Sequence, residues 1–177
     1  MGSPLYYTLM TQHKHDEQKG PESLNCAVLT ISDTRTEDTD DGGKFITESL
    51  KAAGHKVQER RIIKDDAEEI KKLISEFAAA GELHVIITTG GTGIASRDNT
   101  IQTLKPLMEK TMEGFGELFR SLSYEEIGSR AMLSRAAGGV IGNTLIFCRP
   151  GSLNAVKLGM EKLILPDLGH LVWEVTR

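Results

Sequence analysis

The chain has 177 residues, of which 39% are hydrophobic and 26% are charged, with a formal net charge of −4. This length and composition predict one globular domain that buries enough surface to fold without disulfide or metal staples. The acidic balance, with only five Phe, three Tyr and one Trp, argues against a nucleic-acid binder, which needs a basic surface or stacking platforms.

The sequence also limits the location of the protein and the metals it can hold. No apolar run reaches the ~18 residues of a membrane span, and the first ten residues lack the basic start of a signal peptide. We therefore expect a cytoplasmic protein that does not contact a membrane.

Cys26 and Cys148 lie in separate apolar segments and are expected to be buried free thiols. The five histidines show no i, i+3 or i, i+4 spacing, which argues against a histidine-based zinc site.

The chain begins with a segment that has no structural pattern. Residues 1–21 are polar, lack periodicity and end at Gly20-Pro21, so they predict a disordered or loosely attached N-terminal arm. Residues 22–177 are interpreted as a single domain.

The first half of this domain alternates strands and helices. Apolar, β-branched runs predict strands at 26–32, 57–63 and 83–89, and helical spacing predicts two intervening helices that end at Gly54 and Gly81. Asp66 is the predicted N-cap of the second helix. The acidic residues before the first helix are interpreted as a solvated loop whose charge favours the helix N-terminus: Glu37, Asp38, Asp40 and Asp41.

The second half is predicted to be mainly helical. Candidate helices cover 100–110, 114–127 and 129–137, a further strand covers 144–148, and a long helix runs from about 153 to 164. Strands separated by helices of about a dozen residues imply βαβ crossovers. The predicted fold class is therefore α/β, with a parallel sheet and helices on both faces.

Four loops follow predicted strands, and in an open parallel sheet such loops meet at one edge and form the ligand crevice. They read Ser32-Asp33-Thr34, Lys64-Asp65-Asp66, Gly90-Gly91-Thr92-Gly93 through Arg97-Asp98, and Arg149-Pro150-Gly151-Ser152. The glycine loop either forms a tight turn that requires positive φ or brings free N–H groups close to an anion such as phosphate. Because Arg97-Asp98 follows, we favour a ligand loop. It matches neither a Walker A loop nor a dinucleotide fingerprint.

Asp65 and Asp98 lie in two of these loops. Each could cap a helix, although Asp66 and Thr100 are nearby alternatives for that role. Two carboxylates at the same edge as an anion loop indicate a magnesium site, because Mg²⁺ is commonly held by one or two carboxylates together with substrate phosphates. The sequence contains no Gly-x-Ser-x-Gly elbow or other recognisable nucleophile motif.

An ordered set of motifs resembles the MoaB/Mog family of molybdenum cofactor biosynthesis proteins. The set comprises Ser32-Asp33-Thr34, Thr88-Thr89-Gly90-Gly91-Thr92-Gly93, Arg97-Asp98-x-Thr100, the stretch 114–120, Leu133-Ser134-Arg135 and Pro150-Gly151-Ser152. It spans residues 24–170 in order. The stretches 122–128 and 164–170 are more similar to the MoaB branch than to the Mog branch.

The resemblance implies a three-layer, doubly wound molybdopterin-binding domain that forms trimers, sometimes hexamers, and works with other molybdenum cofactor biosynthesis proteins. In active relatives, the terminal phosphate of molybdopterin attacks the α-phosphorus of Mg-ATP to give adenylyl-molybdopterin and pyrophosphate, without a tightly bound prosthetic group. Asp65 and Asp98 match the family's important acidic residues and are assigned catalytic and magnesium-binding roles. The implied substrate-binding residues are Ser32, Asp33, Thr34, Gly90, Gly91, Thr92, Gly93, Arg97, Ser134, Pro150, Gly151 and Ser152.

Two positions depart from the family pattern. Asn99 stands where the family has an aliphatic residue, and Arg149 stands where it has an apolar residue. Arg149 either strengthens phosphate binding or forms a surface ion pair.

The leading hypothesis for the function is a molybdopterin adenylyltransferase. The alternatives are a non-catalytic molybdopterin-binding or scaffold protein and a nucleotide-dependent enzyme of another pathway. Some MoaB-branch relatives lack the two acids and are regarded as inactive, so Asp65 and Asp98 favour an enzyme.

Overall fold

A six-stranded mixed sheet forms the centre of the computed structural model, which describes residues 20–177. The strands are β1 (Asn25–Ile31), β2 (Lys56–Ile63), β3 (Val85–Thr89), β4 (Lys110–Thr111), β5 (Ala137–Ile141) and β6 (Thr144–Arg149). Their order across the sheet is β2-β1-β3-β6-β5-β4. The first four in this order are parallel, while β5 is antiparallel to both of its neighbours. Apart from Gly20 and Pro21, the predicted N-terminal arm lies outside the described residues.

Helices cover both faces of the sheet. On one face lie α1 (Asp41–Ala52), α4 (Glu113–Ile127), α5 (Leu153–Gly159) and α6 (Leu168–Thr176), and on the other α2 (Ala67–Ala80) and α3 (Thr100–Leu104). The side chains of β1 alternate between two buried clusters, so the strand is apolar on both faces. The predicted α/β fold, with three layers and a doubly wound, mostly parallel sheet, is confirmed.

The chain reverses its direction of winding between β1 and β3. From β1 it crosses through α1 to β2 on one side, then returns through α2 to β3 on the other side of β1. The loops after β1 and β3 therefore diverge at the C-terminal edge, and open α/β sheets bind their ligands at such a point.

Most elements of the first half agree with the prediction. β1, β2 and β3 occupy the predicted strand segments, and Gly54 and Gly81 follow α1 and α2 with positive φ. Asp66 caps α2 by accepting a hydrogen bond from the N–H of Glu69. Both cysteines are free and buried. Over residues 20–177, no helix is long and apolar enough to cross a membrane.

Two predicted helices of the second half are wrong in extent. The predicted 100–110 helix is short: α3 ends at Leu104, and a 3₁₀ turn, Lys105–Leu107, contains Pro106 and leads to β4. The predicted 129–137 helix is a 3₁₀ segment, Gly128–Leu133, followed by the unpredicted β5. In β5, a Cβ on Gly139 would lie 2.6 Å from the carbonyl oxygen of Lys110, so the strand needs glycine where a sequence pattern expects β-branched residues.

The last predicted helix, 153–164, changes its hydrogen-bonding pattern midway. α5 ends at Gly159, and a π-helical segment, Met160–Ile164, follows. Here the Arg149 side chain donates to the carbonyl oxygen of Val156, which also accepts from the N–H of Met160. A side chain that enters the helical ladder is an established cause of such distortions.

The interpretation of Asp40 as a solvated loop residue is wrong. Its side chain is only 2% exposed and accepts hydrogen bonds from the Thr30 hydroxyl and the N–H of Gly43, which makes it the N-cap of α1. It also pairs with Arg60 of β2 at 2.8 Å. Asp40 therefore joins β1, β2 and the start of α1. Its neighbour Glu37 is 68% exposed, although it binds the same arginine.

These contacts predict that Asp40→Ala destabilises the protein by about 3 kcal/mol, since it removes a helix cap and leaves a partly buried guanidinium without its buried partner. Glu37→Ala is the matched control, because it removes the exposed partner of the same Arg60 and should cost less than about 1 kcal/mol. Urea unfolding at neutral pH measures both variants. Equal losses would contradict the assignment of Asp40 as the structural partner.

Candidate functional site

A cleft of about 410 Å³ lies at the C-terminal edge of the sheet, where β1 and β3 diverge. It is lined by residues from all four loops that the sequence singled out. The predicted site residues in its wall are Ser32, Asp33, Thr34, Asp65, Gly90, Gly91, Arg97, Asp98, Gly151 and Ser152. Most of the predicted site residues thus meet in one space.

A second cavity, of about 320 Å³, adjoins the first. It contains the remaining predicted residues, Thr92, Gly93, Ser134 and Pro150. The other walls of the second cavity are more apolar and include Phe119, Ile127, Ala131, Leu133 and Ala155. Four residues line both cavities: Gly91, Asp98, Gly151 and Ser152. We call these four residues the shared wall, because groups bound on its two sides can approach each other there.

The glycine loop is a tight turn as well as part of the cleft wall. Gly90 and Gly91 both have positive φ, of 99° and 62°. A Cβ on Gly90 would collide with the carbonyl oxygen of Ile31, and one on Gly91 would collide with the Asp65 carboxylate and the Thr100 hydroxyl. The turn therefore requires glycine both for its backbone conformation and for its close approach to neighbouring strands.

Backbone N–H groups of this loop are available to a ligand. Among residues 20–177, no group accepts a hydrogen bond from the N–H of Gly91, Thr92 or Gly93. The N–H of Gly90, in contrast, donates to the carbonyl oxygen of Arg149, and the Thr89 hydroxyl donates to that of Pro150. These bonds fix the loop against the 150–152 loop and leave its other donors for an anion.

The two candidate acids take part in local contacts without capping a helix. Asp65 Oδ1 accepts a hydrogen bond from the N–H of Asn99 at 3.0 Å, and Asp98 Oδ2 accepts one from the N–H of Ala95 at 2.8 Å. Thr100 does not cap α3 either, since its hydroxyl donates to the carbonyl oxygen of Gly90. Each acid keeps a second carboxylate oxygen that can face a ligand.

Burial raises the pKa of Asp65, and the negative charges of Asp98 and Asp33 raise it further. The N–H of Asn99 and the charge of Arg97 act in the opposite direction. The cleft therefore concentrates carboxylates that repel one another, and a bound cation would relieve this repulsion. In the described part of the chain, no group of three or more His, Cys, Asp or Glu side chains could hold a metal ion. A two-carboxylate site fits Mg²⁺ that arrives with phosphates.

The flanking loops are also held by polar side chains. The Ser32 hydroxyl accepts from the N–H groups of Thr34 and Arg35, and Asp33 Oδ1 accepts from the N–H of Asp65. The Ser152 hydroxyl accepts from the N–H of Ala155 at 3.4 Å and caps α5. Asp33 thus connects the loop after β1 to the loop after β2.

Two residues that sequence reasoning does not place in the site hold its loops together. Arg135 donates from Nε to the carbonyl oxygen of Thr92 and from Nη2 to that of Asp98, each at 3.1 Å. Asn99 donates from Nδ2 to the carbonyl oxygens of Asp65 and Arg97. Arg135 belongs to the Leu133-Ser134-Arg135 motif, so the sequence could have indicated it as a site residue. The resemblance assigns a substrate-binding role only to Ser134 of this motif. The departure at Asn99 provides a bridge that an aliphatic side chain cannot form.

Arg149 lies in neither cavity. Its side chain is 0% exposed, so the surface ion pair considered from the sequence is wrong, and so is direct contact with a ligand in the cleft. It points from the end of β6 into the core below α5, where it donates to the carbonyl oxygen of Val156 at 2.6 Å.

The glycine geometry predicts that Gly91→Ala weakens binding of inorganic pyrophosphate by about tenfold, or about 1.4 kcal/mol, because the new methyl group displaces Asp65 and Thr100. Gly81→Ala is the control, since Gly81 also has a positive φ but a methyl group there would meet no atom within 4 Å. Gly81→Ala should lose about 1–2 kcal/mol of stability, and Gly91→Ala should lose more, because its methyl group also collides with Asp65 and Thr100. Calorimetry and urea unfolding measure these effects, and equal pyrophosphate affinities in the two variants would contradict the prediction.

Comparison with known proteins agrees with this arrangement. Residues 27–170 match the family described as a probable molybdopterin binding domain. Molybdenum cofactor biosynthesis protein B of Bacillus cereus is 50% identical over 169 residues, covering 95% of this chain and 98% of that protein. The homologue from Staphylococcus carnosus is 50% identical over 171 residues, covering 95% of this chain and all (100%) of that protein.

Solved structures show the same relationship. A crystal structure of molybdenum cofactor biosynthesis protein B has 51% identity and a TM-score of 0.84, covering 89% of this chain and 98% of that chain. The tungsten cofactor synthesizing protein MoaB of Pyrococcus furiosus has 38% identity and a TM-score of 0.78, covering 89% and 99%. This chain therefore belongs to the MoaB/Mog family of molybdenum cofactor biosynthesis proteins, in its MoaB branch.

Proposed function

We propose that this protein is a molybdopterin adenylyltransferase that uses Mg-ATP and releases pyrophosphate. The observation that carries the proposal is the shared wall: two adjacent cavities meet at Gly91, Asp98, Gly151 and Ser152, and Asp65 lies in the more polar one. A reaction that joins two substrates needs two binding spaces with a common boundary.

The chemistry of the two linings supports the proposal of one substrate in each cavity. The cleft, with its glycine loop, Arg97 and the two acids, suits the triphosphate of ATP and its magnesium ion. The second cavity, with Phe119, Ile127 and other apolar residues, suits the fused rings of molybdopterin. The terminal phosphate of molybdopterin would then meet the α-phosphorus of ATP at the shared wall.

The transfer needs no nucleophile from the protein. A phosphate oxygen of molybdopterin forms a bond to the α-phosphorus, the bond from that phosphorus to the bridging oxygen breaks, and pyrophosphate leaves with the electron pair. The free N–H groups of the glycine loop bind and orient the phosphates, and Arg97 offsets their charge. Mg²⁺, when bound, neutralises charge that develops on the phosphates.

Asp65 and Asp98 would hold this magnesium ion, since carboxylates cannot bind phosphate directly. The pKa of Asp65, which is raised first by burial and then by the charges of Asp98 and Asp33, fits the assignment, because a bound cation would stabilise the charged form of this carboxylate. Asn99 and Arg135 are positioning residues, as they fix the backbone of the two loops that carry the acids.

The experiment that tests this proposal is incubation of the purified protein with molybdopterin, ATP and Mg²⁺, with detection of adenylyl-molybdopterin by mass. We expect Asp98→Asn to lower turnover about a hundredfold or more, because it removes charge without changing volume. Molybdopterin binding should stay within about tenfold of the unmodified protein, since its contacts remain.

Asp66→Asn is the control for this variant. Asp66 is the neighbour of Asp65 and caps α2, and asparagine is an equally good cap, so turnover should not change. Product formation by Asp98→Asn at the unmodified rate would overturn the role of Asp98. Absence of product from the unmodified protein would overturn the transferase proposal in favour of a non-catalytic molybdopterin-binding protein.

We also propose that the protein assembles as a homotrimer or a dimer of trimers and works with other molybdenum cofactor biosynthesis proteins. An exposed apolar patch on α4 and the following 3₁₀ segment supports this assembly. In this patch Leu118, Met132 and Leu133 are 57%, 74% and 48% exposed. The cytoplasmic location stays a prediction.

Light scattering tests the assembly. We expect a mass of three or six chains at micromolar protein, and a lower mass for Leu118→Glu, because a buried charge would oppose association. A monomeric mass for the unmodified protein would contradict the proposal.

A further inference from the structure

Arg149 is the largest fully buried side chain of the described residues, with 0% of it exposed. Nη1 donates to the carbonyl oxygen of Val156 at 2.6 Å. Nε and Nη2 are also buried, and neither has a hydrogen-bond partner among residues 20–177. No carboxylate of these residues forms a salt bridge with Arg149, whereas Arg60 and Arg61 each have an acidic partner. Arg149 is therefore an unpaired charge inside the protein.

This charge lies close to the shared wall. Arg149 immediately precedes Pro150-Gly151-Ser152, and Val156, which binds its guanidinium, is one helical turn after Ser152, or about 6 Å along the axis of α5. Gly159 of α5 lies between Arg149 and Phe119, because a Cβ on Gly159 would be 3.4 Å from Nη1 of Arg149 and 3.3 Å from the ring of Phe119. Phe119 lines the second cavity. Helix α5 and one aromatic ring thus separate the guanidinium from bound ligands.

We expect the protein without this charge to be at least as stable. Burial of a charge without a partner is costly, and well-packed apolar residues in place of buried charges are often neutral or stabilising. Burial lowers the pKa of Arg149 to about 9, which still leaves the side chain protonated at neutral pH. Because protein rather than water surrounds the group, solvent and salt screen its field much less than that of an exposed arginine.

We propose that Arg149 determines the affinity of the shared wall for anionic phosphates by acting at a distance: its buried charge attracts phosphate groups that its side chain never touches. The bound anion is then the counter-charge that residues 20–177 do not supply to Arg149. The inference rests on the proposed function only for the identity of the phosphate compound.

The test compares three proteins with inorganic pyrophosphate as the probe. Arg149→Met replaces the guanidinium by an unbranched apolar side chain that ends where Nε of the arginine lies. Arg61→Met removes the same net charge from the exposed surface of β2, where Arg61 pairs with Glu59. Calorimetry measures the Kd for pyrophosphate in low and high salt, and thermal unfolding measures the stability of each ligand-free protein.

We expect Arg149→Met to bind pyrophosphate about tenfold more weakly, as two unit charges roughly 10 Å apart would imply at an effective dielectric constant of about 20. Its melting temperature without ligand should be equal to or above that of the unmodified protein. The difference in affinity should persist in high salt. Arg61→Met should bind as the unmodified protein does. If the Met variant fails to fold, Arg149→Gln provides a second neutral side chain.

Equal affinities of the unmodified and Arg149→Met proteins would overturn the inference. A loss of affinity together with a marked fall in melting temperature would also overturn it, since the arginine would then be merely structural. Failure of the unmodified protein to bind pyrophosphate would do the same. A different result would overturn the transferase proposal, namely that the unmodified protein forms no adenylyl-molybdopterin.

Discussion

The close contact between the Gly90-Gly91 turn and its neighbours determines the geometry of the whole site. Gly91 leaves no room for a side chain beside Asp65 and Thr100, and Gly90 lies directly against the carbonyl oxygen of Ile31. Three strands are joined by these contacts at the switch point. Because the turn is this tight, Gly91, whose N–H group is free, and the carboxylate of Asp65 line the same cleft. A looser turn would separate the anion donors from the acids.

Charge in the site is arranged in two layers. Carboxylates line the cleft, where burial and neighbouring acids raise the pKa of Asp65. An unpaired guanidinium lies beneath the shared wall, where it has no carboxylate partner among the described residues. Both arrangements cost stability in the free protein, and both would be relieved by a magnesium-bound phosphate compound.

The part of the fold that can be predicted follows from strong local signals. β1 and β3 are continuous apolar runs, and Asp66 and Gly81 bound α2 with ordinary capping residues. The hairpin of β5 and β6 has a weaker signal, the two-residue turn Gly142-Asn143, and β5 escapes prediction because its glycines carry no β-branched pattern.

The candidate site likewise has one part that can be predicted from the sequence and another part that cannot. Loops that follow strands can be found from sequence, since topology alone brings them together. The contacts of Asn99 with Asp65, of Arg135 with Thr92 and of Asp40 with Arg60 cannot be predicted, because each joins residues distant in sequence. The burial of Arg149 is equally hidden, because its position after a strand does not reveal which way the side chain turns.

The central claim is that two substrates occupy adjacent cavities and react at their shared wall. The most direct test measures the affinity for molybdopterin with and without a saturating ATP analogue that has a methylene group between its α- and β-phosphorus atoms. Both ligands should bind the same subunit at once when Mg²⁺ is present, with the affinity for molybdopterin unchanged or increased. Mutual displacement of the two ligands would contradict the central claim.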